Sequence, residues 1–374
     1  MAAEPTPEEF QRMVVEGGRM DPAEAAYLRL LRASGGKTEP EPEAVADQVA
    51  LMAPGDAAAW AAARATAVRV RASRATLARL LLDPGIQQRT APWYAARGTL
   101  LTASDLGQAL GEGLFGTRDD LLWAKVERTT KADPLPGAFD PFSWGIMFEP
   151  IVAQLYAATR EDVPLHDFGL LRHRTVDCFG CSPDGVSELG VMLEIKAPIK
   201  RQLTGLVKAA YYMQVQGQME VCDLDACDFI ECKIACYNNL EHMAADETLT
   251  DAQRGAVLIG PGKVYSYSPW GQTPAQVGAW LAASGVDASD REQMKNVRLW
   301  FQRTLLVHRI PRDRAFWEDA LPKVRAFWDD VERLRAEGAT RPTKPARAPR
   351  VYPADAPPVT KASYAAAFAK KGLF

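Results

Sequence analysis

Gly180-Cys-Ser-Pro-Asp-Gly-Val-Ser-Glu-Leu-Gly-Val-Met-Leu-Glu-Ile-Lys196 is the stretch on which the reading of this chain turns. Asp184 sits in a Ser-Pro-Asp-Gly turn. Further on, Glu194 and Lys196 flank one isoleucine in the apolar run Val191-Met-Leu-Glu-Ile-Lys-Ala197. Such a run has the composition of a buried strand that has accepted two charges. Residues two apart on a strand point to the same face, about 7 Å apart along it, so Glu194 and Lys196 share a pocket rather than straddle the sheet. Burying them without partners is costly, and a divalent metal and a phosphate are natural partners. A surface turn followed by an edge-strand ion pair is the plainer alternative.

The 374 residues, 47% of them hydrophobic, can hold one large domain with extensions or two ordinary domains. A net charge of −3 argues against a protein that coats nucleic acid through charge alone. It does not argue against an enzyme whose metal site is itself acidic. No apolar run approaches the length of a bilayer span, and the first residues lack the basic and apolar regions of a leader. A soluble intracellular protein, cytoplasmic or nuclear, is therefore expected. The six cysteines fall between positions 178 and 236 and would be reduced there. Only Cys178 and Cys181 have C-x-x-C spacing; a zinc or iron–sulfur site is one reading, and small apolar residues in packed strands is the blander one.

Residues 1 to about 50 are polar and acidic, and Glu39-Pro-Glu-Pro-Glu43 cannot continue a helix. Weak structure is expected there, apart from a helix near Pro22–Ala33. Residues 56–82 interleave Arg64, Arg69, Arg71, Arg74 and Arg79 with Ala and Leu, predicting one or two helices whose basic face is solvated or set against DNA phosphates. Pro92 can begin a helix that carries Trp93 and Arg97, and Gly98 can end it. Thr102, Ser104 and Asp105 then offer caps for the next helix. A helix N-terminus opposite an arginine is also a good phosphate site, but taken alone capping is the expected role of Thr102 and Ser104. Residues 107–140 look like a connection with one helix over Asp119–Lys131.

From Phe142 to Ala158 apolar residues recur at helical spacing with Glu149 among them, and Pro150 predicts a kink or restart. Glu149 either serves a site or snorkels at the edge of the face. Strands are expected over His166–Arg174, Cys178–Cys181, Val191–Lys196, Asp228–Cys236 and Trp300–Ile310, with a strand pair over Ala256–Ser268. Helices are expected over Leu203–Val221 and Arg312–Glu337. The order suits an α/β sandwich with a mixed sheet. From Gly338 to Phe374 seven Lys or Arg stand against one Asp, predicting a disordered basic tail with a short helix at Ser363–Phe374.

Phosphodiester hydrolysis needs a nucleophilic water, stabilisation of the charge on a phosphorane-like transition state and help for the leaving oxygen. Two hard cations about 4 Å apart, held by carboxylates, supply all three, and magnesium prefers oxygen ligands. Asp184 and Glu194 are the expected ligands, with the Ile195 carbonyl contributing. Lys196 would hold or help deprotonate the attacking water. Glu149 would complete or position a second ion, and Gln214 could orient Glu149. No P-loop, His-Glu-x-x-His or nucleophile elbow is present.

Five segments, Trp93-Tyr-Ala-Ala-Arg-Gly-Thr-Leu-Leu-Thr-Ala-Ser-Asp105, Trp144-Gly-Ile-Met-Phe-Glu149, Cys181-Ser-Pro-Asp-Gly185, Leu193-Glu-Ile-Lys196 and Ala210-Tyr-Tyr-Met-Gln-Val-Gln216, resemble the successive motifs of the lambda-exonuclease or YqaJ-type viral recombinase family of PD-(D/E)xK nucleases. They come in the family's order. The resemblance implies a restriction-endonuclease-like α/β core, a mixed β-sheet flanked by helices. Residues 1–84 would be a helical, partly disordered N-terminal extension, residues 85–337 a nuclease domain closed by a long C-terminal helix, and residues 338–374 a basic Pro/Ala-rich tail.

The activity it implies is a Mg2+-dependent exonuclease, with Mn2+ as the alternative metal and two ions per site, that degrades one strand of duplex DNA from a 5′ end. The 3′ single strand left behind would serve recombination, repair or viral genome processing. By the same resemblance Asp184, Glu194 and the Ile195 carbonyl bind metal, Lys196 is catalytic, and Glu149 supports the site with Tyr211 and Gln214 behind it. Arg97 takes the 5′ phosphate with Ser104 as companion and Thr102 beside it, which replaces the capping role of Ser104. Implied partners are double-stranded DNA ends, a single-strand annealing protein and, by analogy, a ring-shaped homotrimer; no membrane is involved, and the source would be viral or phage-like. The N-terminal extension, Pro150, the long region before the final helix and the basic tail depart from compact members. An endonuclease or RNA-degrading relative, and a catalytically silent DNA-binding recombination protein, are the competing readings.

Overall fold

The first three helices among the described residues of the computed structural model, which are 20–129 and 141–342, are α1 (Pro22–Ala33), α2 (Pro42–Met52) and α3 (Ala57–Leu82). Asp21 caps α1 by accepting from the backbone N–H of Ala23 and Glu24. Residues 42–52, expected to be weakly structured, form a helix instead. Pro42 opens it, because a proline at the first helical position lacks only an N–H that would have no partner there. Val45, Ala46 and Val49 then pack with Tyr27 and Leu28 of α1 and with Ala63, Ala67 and Val70 of α3 in the main core.

The acidic run before α2 explains the basic face of α3. Arg74 reaches Glu39 at 3.0 Å, Arg71 reaches Glu41 at 3.3 Å and Arg64 lies 3.8 Å from Glu43. Three arginines of that face are thus matched by acids of the same chain, while Arg64 and Arg71 stay about half exposed, as on a solvated face. Arg74 is the inner member, its side chain 11% exposed, and it also bonds Glu188 within the decisive stretch.

Four helices and a short strand follow: α4 (Ala91–Arg97), β1 (Leu101–Thr102), α5 (Ala103–Ala109), α6 (Arg118–Val126) and α7 (Pro141–Ala158). α6 stops short of the expected Lys131 because Arg128 takes a left-handed backbone, φ 53°. α7 runs through Pro150 without the expected restart. It buries Trp144, Met147, Phe148, Ile151, Val152, Leu155 and Tyr156; truncating Phe148 to Ala would cost about 3–5 kcal/mol.

The strands and helices after α7 are β2 (Leu165–His166), β3 (Leu171–Arg172), β4 (Phe179–Cys181), β5 (Gly185–Ser187), β6 (Met192–Lys196), α8 (Ala209–Cys222), β7 (Ala226–Cys236), α9 (Leu240–Ala245), β8 (Arg254–Ile259), β9 (Tyr265–Tyr267), α10 (Pro274–Ala283), α11 (Arg291–Met294), β10 (Val297–Pro311) and α12 (Arg314–Ala336). Seven strands form one mixed sheet in the order β2-β5-β6-β7-β10-β8-β9, and β1-β4-β3 form a smaller one. β6 and β7 are parallel, with Glu194 opposite Phe229 and Lys196 opposite Glu231. The architecture is the expected mixed sheet flanked by helices. The single strand expected over His166–Arg174 is divided between the two sheets, because the backbone of Gly169 and Leu170 turns aside to bond Pro84 and Ile86.

β6 distributes its side chains by period two. Leu193 and Ile195 enter the core with α7, while Glu194 between them turns to α8. α12 covers the far side with Trp317, Val324, Phe327, Trp328 and Val331 buried. Gly338–Phe374 is a separate unit, of which residues 338–342 are described. The expected tail and its terminal helix, like residues 1–19, lie outside the described residues.

Candidate active site

The turn carrying Asp184 is stapled to β6. Its Oδ2 accepts from the Ile195 N–H at 2.7 Å, and its own N–H donates to the Leu193 carbonyl at 3.2 Å. Glu194 is 2% exposed. Its Oε1 accepts from Gln214 Nε2 and its Oε2 from Gln218 Nε2, each at 2.7 Å. These amides stand four residues apart on α8, one above the other, so both reach one carboxylate. Lys196 Nζ also bonds Glu194 Oε1, lies 3.5 Å from Gln214 Oε1 and rests 5.0 Å from the centre of the Tyr211 ring. Glu194 and Lys196 therefore share a face, as their spacing predicts.

Gln214 does not orient Glu149, contrary to expectation, because its amide is committed to Glu194. The partner of Glu149 is Arg89, whose Nη2 donates to Oε2 at 2.7 Å. Sequence reasoning missed Arg89 and Gln218. Gln218 could have been found from its four-residue spacing to Gln214; Arg89 is 60 positions from Glu149 and carries no local signal.

Burial, then the charges of Glu194 and Glu149, hold the Asp184 carboxyl well above the carboxylate range. Burial also raises Glu149, an effect that Arg89 tempers. Burial disfavours the Lys196 ammonium, but Glu194 and Asp184 more than offset this and keep its pKa above the ordinary value. Like charges this crowded cannot all ionise without a compensating cation. The donors are all oxygens, which suits magnesium, so the residues fit such an ion. Among the described residues no three His, Cys, Asp or Glu side chains stand in ready ligand geometry; Lys196 and Arg89 hold two of the three carboxylates.

Arg97 at the end of α4 lies 4.5 Å over the Trp93 ring and donates to Ser104 Oγ at 3.3 Å. Ser104 Oγ is 3.1 Å from Thr102 Oγ1, which donates to Asp105 Oδ2 at 2.9 Å. Thr102 occupies the capping position of α5 but makes no side-chain cap bond, so the capping role expected of it is not realised. Asp105 pairs with Lys125 at 3.0 Å, and Arg97 has no carboxylate within 4 Å among the described residues. Burial lowers the Arg97 pKa.

The arginine pocket and the carboxylates are built on adjoining elements. Trp93 Nε1 donates to Ser182 Oγ at 3.0 Å, two residues before Asp184, and Thr102 pairs with Gly180 across β1 and β4. α5 can lie this close to α8 because Gly107 has no Cβ to meet Ala210 and Gly217 none to meet Leu106 and Phe179, each of which would be 3.0 Å away. The cysteines are all free; Cys181 and Cys222 are buried with their sulfurs 3.7 Å apart, and no Cys-rich metal cluster occurs among the described residues.

Residues 92–225 match the model of the YqaJ-like viral recombinase domain. An uncharacterized protein, R354, of Acanthamoeba polyphaga mimivirus is 28% identical over 182 residues, which cover 44% of this chain and 32% of that protein, so the match spans about a third of the viral protein's length. Among solved structures, an alkaline exonuclease from Laribacter hongkongensis is similar at 20% identity and a TM-score of 0.42, over 66% of this chain and 95% of that one. A phage-related exonuclease from Haemophilus somnus is similar at 13% identity and a TM-score of 0.37, over 64% and 96%. The residues that match the YqaJ-like viral recombinase domain model are those that supply Arg97, Glu149, Asp184, Glu194, Lys196 and Gln214.

Proposed function

We propose that this chain is a divalent-cation-dependent deoxyribonuclease that digests linear duplex DNA from 5′ ends and leaves a 3′ single strand for recombination. The observation that carries the reading is the link, through Trp93 and Ser182, between the Asp184, Glu194 and Lys196 cluster and an arginine whose hydrogen-bond partner is a neutral hydroxyl. The recombinase-domain match supports it.

Two magnesium ions, or manganese, would be held by Asp184, Glu194, the Ile195 carbonyl and Glu149, and when bound would supply activation of water and charge neutralisation at the phosphate. Everything else is work for the chain's own groups. Gln214 and Gln218 fix the plane of the Glu194 carboxylate, and the Ile195 N–H fixes Asp184. Lys196, kept protonated by its two carboxylate neighbours, orients the attacking water and offsets negative charge on the phosphate. Tyr211 backs the lysine with its ring. Arg97, steadied by Trp93 and flanked by Ser104 and Thr102, receives the terminal phosphate as a charge-assisted ligand. That contact selects which phosphodiester enters.

End-labelled linear duplex and covalently closed duplex, each incubated with magnesium, test the reading. Loss of label from 5′-phosphorylated linear ends with the closed form intact is expected; equal cleavage of both would make the enzyme an endonuclease. A homotrimer and a single-strand annealing partner belong to the same proposal, and light scattering on the purified protein checks the first. No helix among the described residues is long and apolar enough to cross a membrane.

A further inference from the structure

Arg89 is an arginine in a conformation that favours glycine. Its φ of 63° is left-handed, a region in which a residue with a Cβ is strained. The strain is held by bonds on both sides. The Gln88 amide donates to the Phe168 carbonyl at 2.8 Å and to the Pro183 carbonyl, next to Asp184, at 3.1 Å. Thr90 Oγ1 donates to the Gln87 carbonyl at 2.7 Å and caps α4, the helix of Arg97. The turn is thereby fixed at the meeting point of the Asp184 turn and the arginine helix. Its guanidinium is aimed at Glu149, the third carboxylate, at 2.7 Å, with the Arg89 side chain 39% and the Glu149 side chain 25% exposed.

We propose that Arg89 is an exchangeable counter-ion: it neutralises Glu149 in the DNA-free enzyme, is displaced when a divalent cation takes that carboxylate, and then binds a phosphate of the substrate backbone. The inference rests on the nuclease reading above. Unlike Lys196, which is hemmed in by Glu194, Gln214 and Tyr211, Arg89 has no described partner besides Glu149 and is open to solvent on its other side. A planar fork with free donors is suited to a phosphate. Its single ion pair is of the half-exposed kind that a cation can compete away.

The test uses Arg89→Gly, which deletes the guanidinium while placing in the left-handed backbone the residue that tolerates it best. Manganese binding to the DNA-free full-length protein is measured by calorimetry, and magnesium-dependent digestion of 5′-phosphorylated duplex is measured in parallel. Arg89→Gly is expected to bind manganese about fivefold more tightly, since the competing charge is gone, and to turn over about tenfold more slowly at saturating magnesium, since a phosphate ligand is gone. Arg89→Lys should fall between wild type and Arg89→Gly in both measurements. A residue that merely supported Glu149 would weaken binding and turnover together, and that result, or unchanged manganese affinity, overturns the proposal. If wild type binds no manganese that Asp184→Ala abolishes, the nuclease reading itself fails, which is a different outcome from a wild-type site indifferent to Arg89.

Discussion

The carboxylate cluster and the arginine pocket meet at the same Ser182–Asp184 turn, yet they hold charge in opposite ways. In the cluster, charge is answered by charge: Lys196 lies on Glu194 and Arg89 on Glu149. In the pocket, Arg97 has a hydroxyl and an indole face, while the nearby acid, Asp105, is given to Lys125. A buried charge left unpaired is destabilising, so the two halves carry different demands. The cluster has to exchange partners to work. The pocket is already set for an anion, and an incoming phosphate displaces no carboxylate.

That contrast is most sharply broken by removing the cluster. Asp184→Ala or Lys196→Ala should lower the initial rate of magnesium-dependent digestion about a thousandfold or more, while filter binding of duplex remains measurable. Undiminished digestion would remove these residues from the chemistry. Next in size is the pocket: Arg97→Ala should reduce the preference for 5′-phosphorylated over 5′-hydroxyl ends by about tenfold to a hundredfold, the range of a charged hydrogen bond. An unchanged ratio would leave the phosphate unread by Arg97.

A smaller effect separates the halves by pH. The Asp184 pKa is raised in the folded protein above an unfolded value near ~3.9. Its contribution to stability is therefore full below the unfolded pKa and is lost as pH rises through the folded one. Without divalent ions, Asp184→Asn should melt at a higher temperature than wild type at pH 8, and the gap should narrow toward acid pH. A gap that does not change with pH would show that the carboxyl is not under this stress. Smallest is the contrast within α3. Arg74→Ala should cost about 1–3 kcal/mol in urea unfolding, as the inner arginine serves Glu39 and Glu188, whereas Arg64→Ala should stay within about 0.5 kcal/mol. Equal costs would erase the distinction between inner and outer pairs.

What could be read from the sequence was local in origin. The shared face of Glu194 and Lys196 follows from a strand's period of two, and α12 follows from its apolar stripe. What escaped was set by distant partners. Glu39-Pro-Glu-Pro-Glu43 by itself predicts weak structure because its arginines stand on another helix; Arg71 lies 30 positions from Glu41, and Arg74 lies 35 from Glu39. Gln214 was placed correctly on its helix but assigned to the wrong carboxylate, since which glutamate it faces depends on how β6 and α7 pack rather than on α8 itself. β5 carries no signal of its own, because three residues between two turns give no period to detect.

Arg309 on β10 donates to both carboxylate oxygens of Glu24 on α1, at 2.7 and 3.2 Å and across 285 positions of chain, and Asp228 shares the same guanidinium. On the ribosome Glu24 emerges long before its counter-charge exists. A contact spanning so much chain closes late and slowly, and until it closes Glu24 lacks its arginine, whereas Asp228 also has Arg160 at 3.6 Å. The ion pair ties the helix Pro22–Ala33 to a strand residue made 285 positions later.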